Sequence, residues 1–221
     1  MKMKKFLLMA FIGLFSINMM SAQTKAVAKT KATTVKKKAA KSNIVTVPSL
    51  EYLVDAAASS AVWKGHKVTG SHAGKVTLKS GNVSVKGNKV TGGQFEMDMN
   101  SIICTDLEGE YADKFVKHLK NEDFFNSAKF PTSSFKITSA SLKTDNQYTI
   151  KGDLTIKGIK HSIEFPANIT VTATDVQAVA NFKVDRTKYD IKYGSASFFD
   201  KLGDKAINND FDLELNIILK K

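Results

Sequence analysis

The sequence predicts a mainly β domain, with about eight antiparallel strands and one inserted amphipathic helix. Three observations carry this. Apolar residues recur at every second position through most of residues 44–221, the period of a strand buried on one face. Short turn signals built on Gly, Asn and Asp separate these runs, as hairpin connections require. A single window changes to helical spacing, and no strand–helix–strand alternation surrounds it, so parallel crossover units are not expected.

The run 74–80 (GKVTLKS) places Val76 and Leu78 on one face, and 82–86 (NVSVK) continues the alternation. Gly87-Asn88 follows. Both residues tolerate positive φ, so the pair predicts a two-residue hairpin turn into Lys89-Val90. Gly92-Gly93 leads into 94–100, where Phe95, Met97 and Met99 share one face and Glu96, Asp98 and Asn100 the other. In window 107–119, Leu107, Tyr111, Phe115, Val116 and Leu119 form one apolar stripe, which predicts a helix. Thr105 or Asp106 is the expected N-cap. Asn121-Glu122-Asp123 ends the stripe, Phe124-Phe125 turns back toward the core, and Phe130 before Pro131 is expected to be extended.

Strands resume at 134–142 with Phe135 and Ile137 inward, and Asp145-Asn146 marks a turn. Residues 148–156 alternate through Ile150, Leu154 and Ile156, and Gly158 marks the next turn. The run 162–173 carries Ile163, Phe165, Ile169 and Val171, and 176–185 carries Val176, Ala178, Ala180, Phe182 and Val184. The last strand, 210–221, keeps Phe211, Leu213, Leu215, Ile217 and Leu219 on one parity. Period alone leaves a barrel and a sandwich open. The inward set is rich in Phe and Met, and the small Ala178 and Ala180 on the same parity would leave room inside a barrel.

The ends of the chain carry a different signal. Residues 1–22 read as an export signal: Lys2, Lys4 and Lys5, then an apolar run from Phe6 to Met20, then Ser21-Ala22. No Cys follows for a lipid anchor. Residues 23–42 hold seven Lys, no acid and no large apolar residue beyond two Val, which predicts a disordered linker. Its Lys cluster also offers peripheral contact with an anionic envelope surface. These expectations place the protein in the periplasm, with secretion as the alternative, and its folded domain at 43–221.

The first 42 residues contain ten of the 33 basic residues and none of the 21 acidic ones, so the whole-chain charge of +12 falls to +2 for residues 43–221. No basic stripe with interleaved aromatics remains, which removes the main support for nucleic-acid binding. The single Cys104 allows no internal disulfide and reads as a buried, inert thiol. The domain must then rest on its apolar core. No His-Glu-x-x-His, Gly-x-Ser-x-Gly or phosphate-cradling glycine loop is present, and the acids Glu108, Glu110 and Asp113 sit where helix-start acids are expected. We expect neither an enzyme nor a bound metal or cofactor.

Six pieces of the sequence, in order, resemble the YceI-like family of bacterial envelope proteins. They are Val54-Asp55 before a strand with Trp63, then VTGSHAG at 68–74 and the Phe-x-Met-Asp-Met-Asn-Ser-Ile run at 95–102. HLKNEDFFNSAKFPTSSF at 118–135, GDLTIKGIKHSIEF at 152–165 and VDRTKYDIKYGS at 184–195 complete the set. The resemblance covers about residues 50–220. It implies a lipocalin-like antiparallel β-barrel with the helix near one end, exported, non-catalytic and holding a long isoprenoid or similar lipid. A homodimer is an expectation from the resemblance alone, and the Lys-rich linker lies outside the family pattern.

The expected ligand is therefore a polyisoprenoid, quinone or other long-chain amphiphile. The expected apolar wall and lid are Phe95, Met97, Met99, Phe115, Leu119, Phe124, Phe125, Phe135, Phe165 and Phe182. His72, His118 and Arg186 are the candidate head-group contacts, Arg186 also being placed to fix its loop through an ion pair. The alternative is a solid-cored structural or stress protein of the envelope that acts through a protein partner.

Overall fold

The computed structural model describes residues 47–221. The expected export signal at 1–22, the expected linker at 23–42 and its boundary with the domain lie outside the described residues. Nine strands and one α-helix follow in order: β1 (Leu50–Val54), β2 (Ser60–Lys67), β3 (Gly70–Lys86), β4 (Lys89–Cys104), α1 (Gly109–Lys120), β5 (Thr132–Thr144), β6 (Gln147–Ile156), β7 (Ile159–Val171), β8 (Asp175–Asp185) and β9 (Ile207–Lys220). All pairings are antiparallel.

The sheet closes, which decides between barrel and sandwich. From β3 the order runs through β2, β9, β8, β7, β6, β5 and β4, and β4 pairs back onto β3. β1 and β2 share one stave. β2 pairs with one half of β3, and β1 pairs with the other half and with the end of β9. The barrel therefore has eight staves, the first interrupted at 55–59.

Two predicted strands, 74–80 and 82–86, are one. β3 runs unbroken through Gly81, which faces the Phe95 ring at close range. Gly92-Gly93 likewise lies inside β4. The Gly87-Asn88 turn is formed as expected, with φ of 55° and 59°. Lys157-Gly158 makes a second turn of the same kind, φ 51° and 74°.

The hairpins put β2–β3, α1, β6–β7 and the long 186–206 connection at one end of the barrel. The β3–β4, β5–β6 and β7–β8 turns lie at the other end, with both chain ends of the barrel. This second end is plugged by Tyr52, Val85, Tyr148 and Leu219, all buried. The Tyr52 hydroxyl donates to the Thr172 carbonyl at 2.9 Å, so the plug is tied to the β7–β8 turn.

The helix begins later than predicted. Leu107 precedes it, Tyr111 points to solvent, and Glu108 occupies the N-cap without a side-chain hydrogen bond. Asp106 is engaged elsewhere, accepting from the Ala73 amide at 3.2 Å. Phe115, Val116 and Leu119 keep the inward stripe.

One wall of the barrel is only half zipped. β7 and β8 both extend to the helix end, one starting and the other finishing there, yet their ladder pairing stops at Asn168 and Val179. The reason lies in the residues that follow. The Ile169 amide donates to Asn146, on the β6 side. Odd residues of β7 thus turn their backbone toward β6, and even ones toward β8. The next even position is Pro166, which has no N–H to give.

Candidate functional site

The barrel interior is a cavity of about 690 Å³. A solid core is therefore excluded. Its wall comes from alternate residues of the staves, as period two requires. All ten residues expected in the wall and lid line it, as do Ala178 and Ala180. Phe95, Met97, Phe135 and Phe182 are on the inside of a closed barrel and remain only half-buried. Their free surface faces the void.

Aromatic rings crowd the middle of the wall. Phe135 lies 5.5 Å from Phe165, which stacks on Phe182 at 4.0 Å and 9°. Gly152 on β6 lets the Phe135 ring lie against the sheet; a Cβ there would collide with it. Trp63 lies over Gly74 in the same manner. Its indole N–H and the Tyr189 hydroxyl are buried without a hydrogen-bond partner among the described residues. Burial pushes the Tyr189 phenol up to about 12.

The helix end of the cavity is part lid and part opening. Phe115 and Leu119 of α1, with Phe124 and Phe125 of the following turn, cover one side. Phe125 meets Phe211 of β9 edge to face at 6.4 Å. On the other side the cavity is lined by Lys67, Thr69, Asp204 and Lys205, all exposed. This is where the apolar interior meets water.

The three expected head-group residues also line the cavity, each already partnered. His72 Nδ1 lies 3.2 Å from Asp106, and its ring lies 4.8 Å from Phe115. His118 Nε2 lies 3.3 Å from Asp123, and its ring meets Phe124 and Tyr193 edge-on. Both imidazoles brace the lid. Arg186, the only arginine of the chain, is buried.

The expected ion pair at Arg186 is replaced by backbone. Its guanidinium donates to the carbonyls of Asn208 (2.9 Å), Ile191 (2.7 Å) and Ile207 (3.1 Å). Three carbonyls of two chain segments converge there, and a planar fork with five donors fits them. Burial pulls its pKa down, and the charge of Asp185 opposes that. The Asp185 carboxylate accepts instead from the Thr187 amide at 2.9 Å and its hydroxyl at 2.6 Å.

Cys104 is half-buried rather than buried. Its thiol donates to Asp106 at 2.9 Å. Burial and that carboxylate push its pKa up, which disfavours the thiolate a nucleophile needs. Among the described residues no group of three or more His, Cys, Asp or Glu could hold a metal ion.

Several lining residues escaped the sequence reading. Ile163, Leu213 and Leu215 stood on the inward parity but were not singled out. Ile102 faces inward because β4 bulges past Asp98, whose carboxylate accepts from the Asn100 amide at 2.9 Å and whose carbonyl accepts from the Ser101 hydroxyl at 2.6 Å. His66, 2.7 Å from Asp212, sits at a register shift between Gly65 and Lys67. Tyr193 and Lys205 belong to an irregular connection with no periodicity to follow.

Residues 52–219 match the model of the YceI-like domain. The chain belongs to the YceI-like family. It is similar to protein YceI of Escherichia coli O157:H7, 36% identical over 70 residues, or 31% of this chain and 35% of that protein. A UPF0312 protein of Shewanella denitrificans is 30% identical over 95 residues, 43% of this chain and 48% of that one. The chain thus spans between a third and a half of the length of these curated relatives.

Two solved structures share the YceI-like fold. BcnA of Burkholderia cenocepacia superposes with a TM-score of 0.60 at 16% identity, covering 75% of this chain and 98% of BcnA. A polyisoprenoid binding domain from Saccharophagus degradans gives 0.57 at 13% identity, covering 76% and 97%. At such identities the likeness shows the barrel. The YceI-like fold accounts for the closed antiparallel sheet and the helix between β4 and β5.

Proposed function

We propose that this protein is an exported, non-catalytic carrier that holds one long-chain isoprenoid, quinone or similar amphiphile inside its barrel. The observation that carries this reading is the cavity: about 690 Å³, lined by apolar side chains of the staves and, at its helix end, by Lys67, Asp204 and Lys205. That volume lies within the range of small-molecule sites. A wall of Phe, Met, Ile and Leu can gain free energy from a ligand only by removing apolar surface from water. Each buried methylene contributes about 0.8 kcal/mol. A long hydrocarbon chain would bind tightly with few polar contacts, its polar end left at the mouth beside Lys67, Asp204 and Lys205.

Family membership and the fold shared with a polyisoprenoid binding domain support the ligand class. The export signal expected at 1–22 supports a periplasmic setting. The half-buried interior phenylalanines argue against the partner-binding alternative, which needs no void.

The experiment is a charge in the wall. Met97→Lys and Phe95→Asp should each abolish retention of an added polyprenyl lipid, while far-ultraviolet circular dichroism keeps its β signature. A folded variant that retains the lipid as the parent does overturns this assignment.

A further inference from the structure

The end of the barrel that opens is also the end that exposes aromatic rings. Tyr111, Tyr193, Phe198 and Phe199 are the exposed aromatics among the large hydrophobics of the described residues, at 79%, 45%, 49% and 49%. Tyr111 lies on α1, and the other three lie in the connection from β8 to β9. All four are at the helix end. Among the described residues the plugged end exposes aliphatic side chains such as Leu50 and Leu53, and no aromatic.

The phenylalanine pair is held out on a built turn. The amides of Phe198 and Phe199 both donate to the Ser195 carbonyl, at 3.0 Å each. Ser195 is fully buried, and its hydroxyl donates to Asn209 of β9 at 2.6 Å. The Asn209 amide group reaches Ser197 at 2.9 Å. Two large rings are thus fixed in solvent by a network anchored in the barrel, although nothing in the core needs them there. Exposed Val68 of the β2–β3 turn belongs to the same rim, its amide bonded to the Ala206 carbonyl at 3.2 Å.

On the β8–β9 side of this rim, beside Tyr193, Phe198 and Phe199, the charge favours one sign, whereas the helix side, 105–123, carries six exposed acids and two exposed lysines. Residues 66–69 and 187–206 carry five exposed lysines, Lys67, Lys188, Lys192, Lys201 and Lys205, against three exposed aspartates. Aromatic rings mixed with lysine are the composition of surfaces that sit at a lipid–water interface, rings at the head-group level and lysines toward anionic head groups.

We propose that this rim docks onto the surface of an anionic phospholipid bilayer, with Phe198 and Phe199 entering the interface and the cavity mouth facing it. The proposal rests on the lipid-carrier reading. It adds where the cargo is taken up: from the membrane, through an opening pressed against it, without a passage through bulk water. The linker lysines at 23–42 would act as a separate tether.

The test uses the chain in its exported form and vesicles of phosphatidylethanolamine with phosphatidylglycerol. Co-sedimentation is compared for the parent, for Phe198→Ser/Phe199→Ser, and for Lys201→Glu. The double serine variant should bind at least about tenfold more weakly. Lys201→Glu should fall further below the parent as salt is lowered, and both variants should keep the parent's thermal midpoint. The indole introduced by Phe198→Trp should be quenched by brominated lipid beyond the Trp63 background. Equal binding by the parent and the double serine variant, or no added quenching in Phe198→Trp, would assign any membrane contact to the tether and overturn the proposal. So would a dimer in sedimentation velocity that the double variant dissolves, because the rim would then be a self-association surface. The cargo reading is scored separately, by organic extraction of the same variants: a variant that holds its lipid and leaves the membrane loses docking alone.

Discussion

Phe165 and Phe182 stack face to face, 4.0 Å apart and 9° from parallel, across the stretch of wall where β7 and β8 have stopped pairing. The two residues lie in register with the ladder that ends at Asn168 and Val179. Side chains therefore take over the closure of the barrel where Pro166 removes the next donor. A stacked pair contributes about 0.5–1.5 kcal/mol beyond its buried area.

The unzipped wall makes a residue-by-residue prediction. The backbone groups of Glu164 and Lys183 face the seam, and those of Phe165 and Phe182 face β6 and β9. Amide hydrogen exchange followed by NMR should show Glu164 and Lys183 exchanging faster than those neighbours, by at least about tenfold. Equal protection at all four positions would mean that the ladder continues through the seam.

Arg186 should be a stability residue before anything else. Arg186→Lys replaces three separate nitrogens by one and so leaves at least one of the Asn208, Ile191 and Ile207 carbonyls without its donor. A loss of about 2–4 kcal/mol is expected, read as a lower urea midpoint. An unchanged midpoint would show that the connection from β8 to β9 holds without this clamp.

Gly74 lies under the indole of Trp63 and beside the Ile103 carbonyl, and a Cβ there overlaps both. Gly74→Ala should cost about 1–3 kcal/mol and displace the indole. Trp63 is the only tryptophan, so the displacement should appear directly as a shift in emission maximum. Parent-like emission and stability would mean that β2 and β3 separate at little cost.

Acid should weaken the outer face of β9. The hydrogen bond from His66, with Lys183 nearby, holds the Asp212 carboxyl below its ordinary value of 3.8. A depressed carboxylate gives stability that is present above that value and lost as pH falls through the folded pKa. Stability should therefore drop below about pH 4, and Asp212→Asn should flatten that part of the curve. An identical acid limb in the variant would remove Asp212 from the account.

The strands were legible because one face of each is buried. Phe95-x-Met97-x-Met99 and the five alternate residues of β9 name the inside of the barrel by parity alone. Closure was not legible from parity, because a sandwich and a barrel give the same alternation; the β3–β4 pairing is a long-range fact. The lid was legible in part. Phe115, Leu119, Phe124 and Phe125 stood out as apolar, but Tyr111 lay on the same helical stripe and points to water, where it joins the rim. The partners of Arg186 were hidden for another reason. Backbone carbonyls are present at every residue, so no side-chain pattern announces three of them converging on one guanidinium. His66 was hidden by a register shift that only pairing with β9 reveals.

The central claim is that the cavity holds a lipid. Native mass spectrometry of the exported chain, purified from its own envelope without detergent, tests it most directly, with the organic extract analysed alongside. One adduct per barrel is expected, which extracts as a polyprenyl, quinone or similar long-chain species. A bare mass that also stays bare after incubation with polyprenyl lipids and quinones would contradict it.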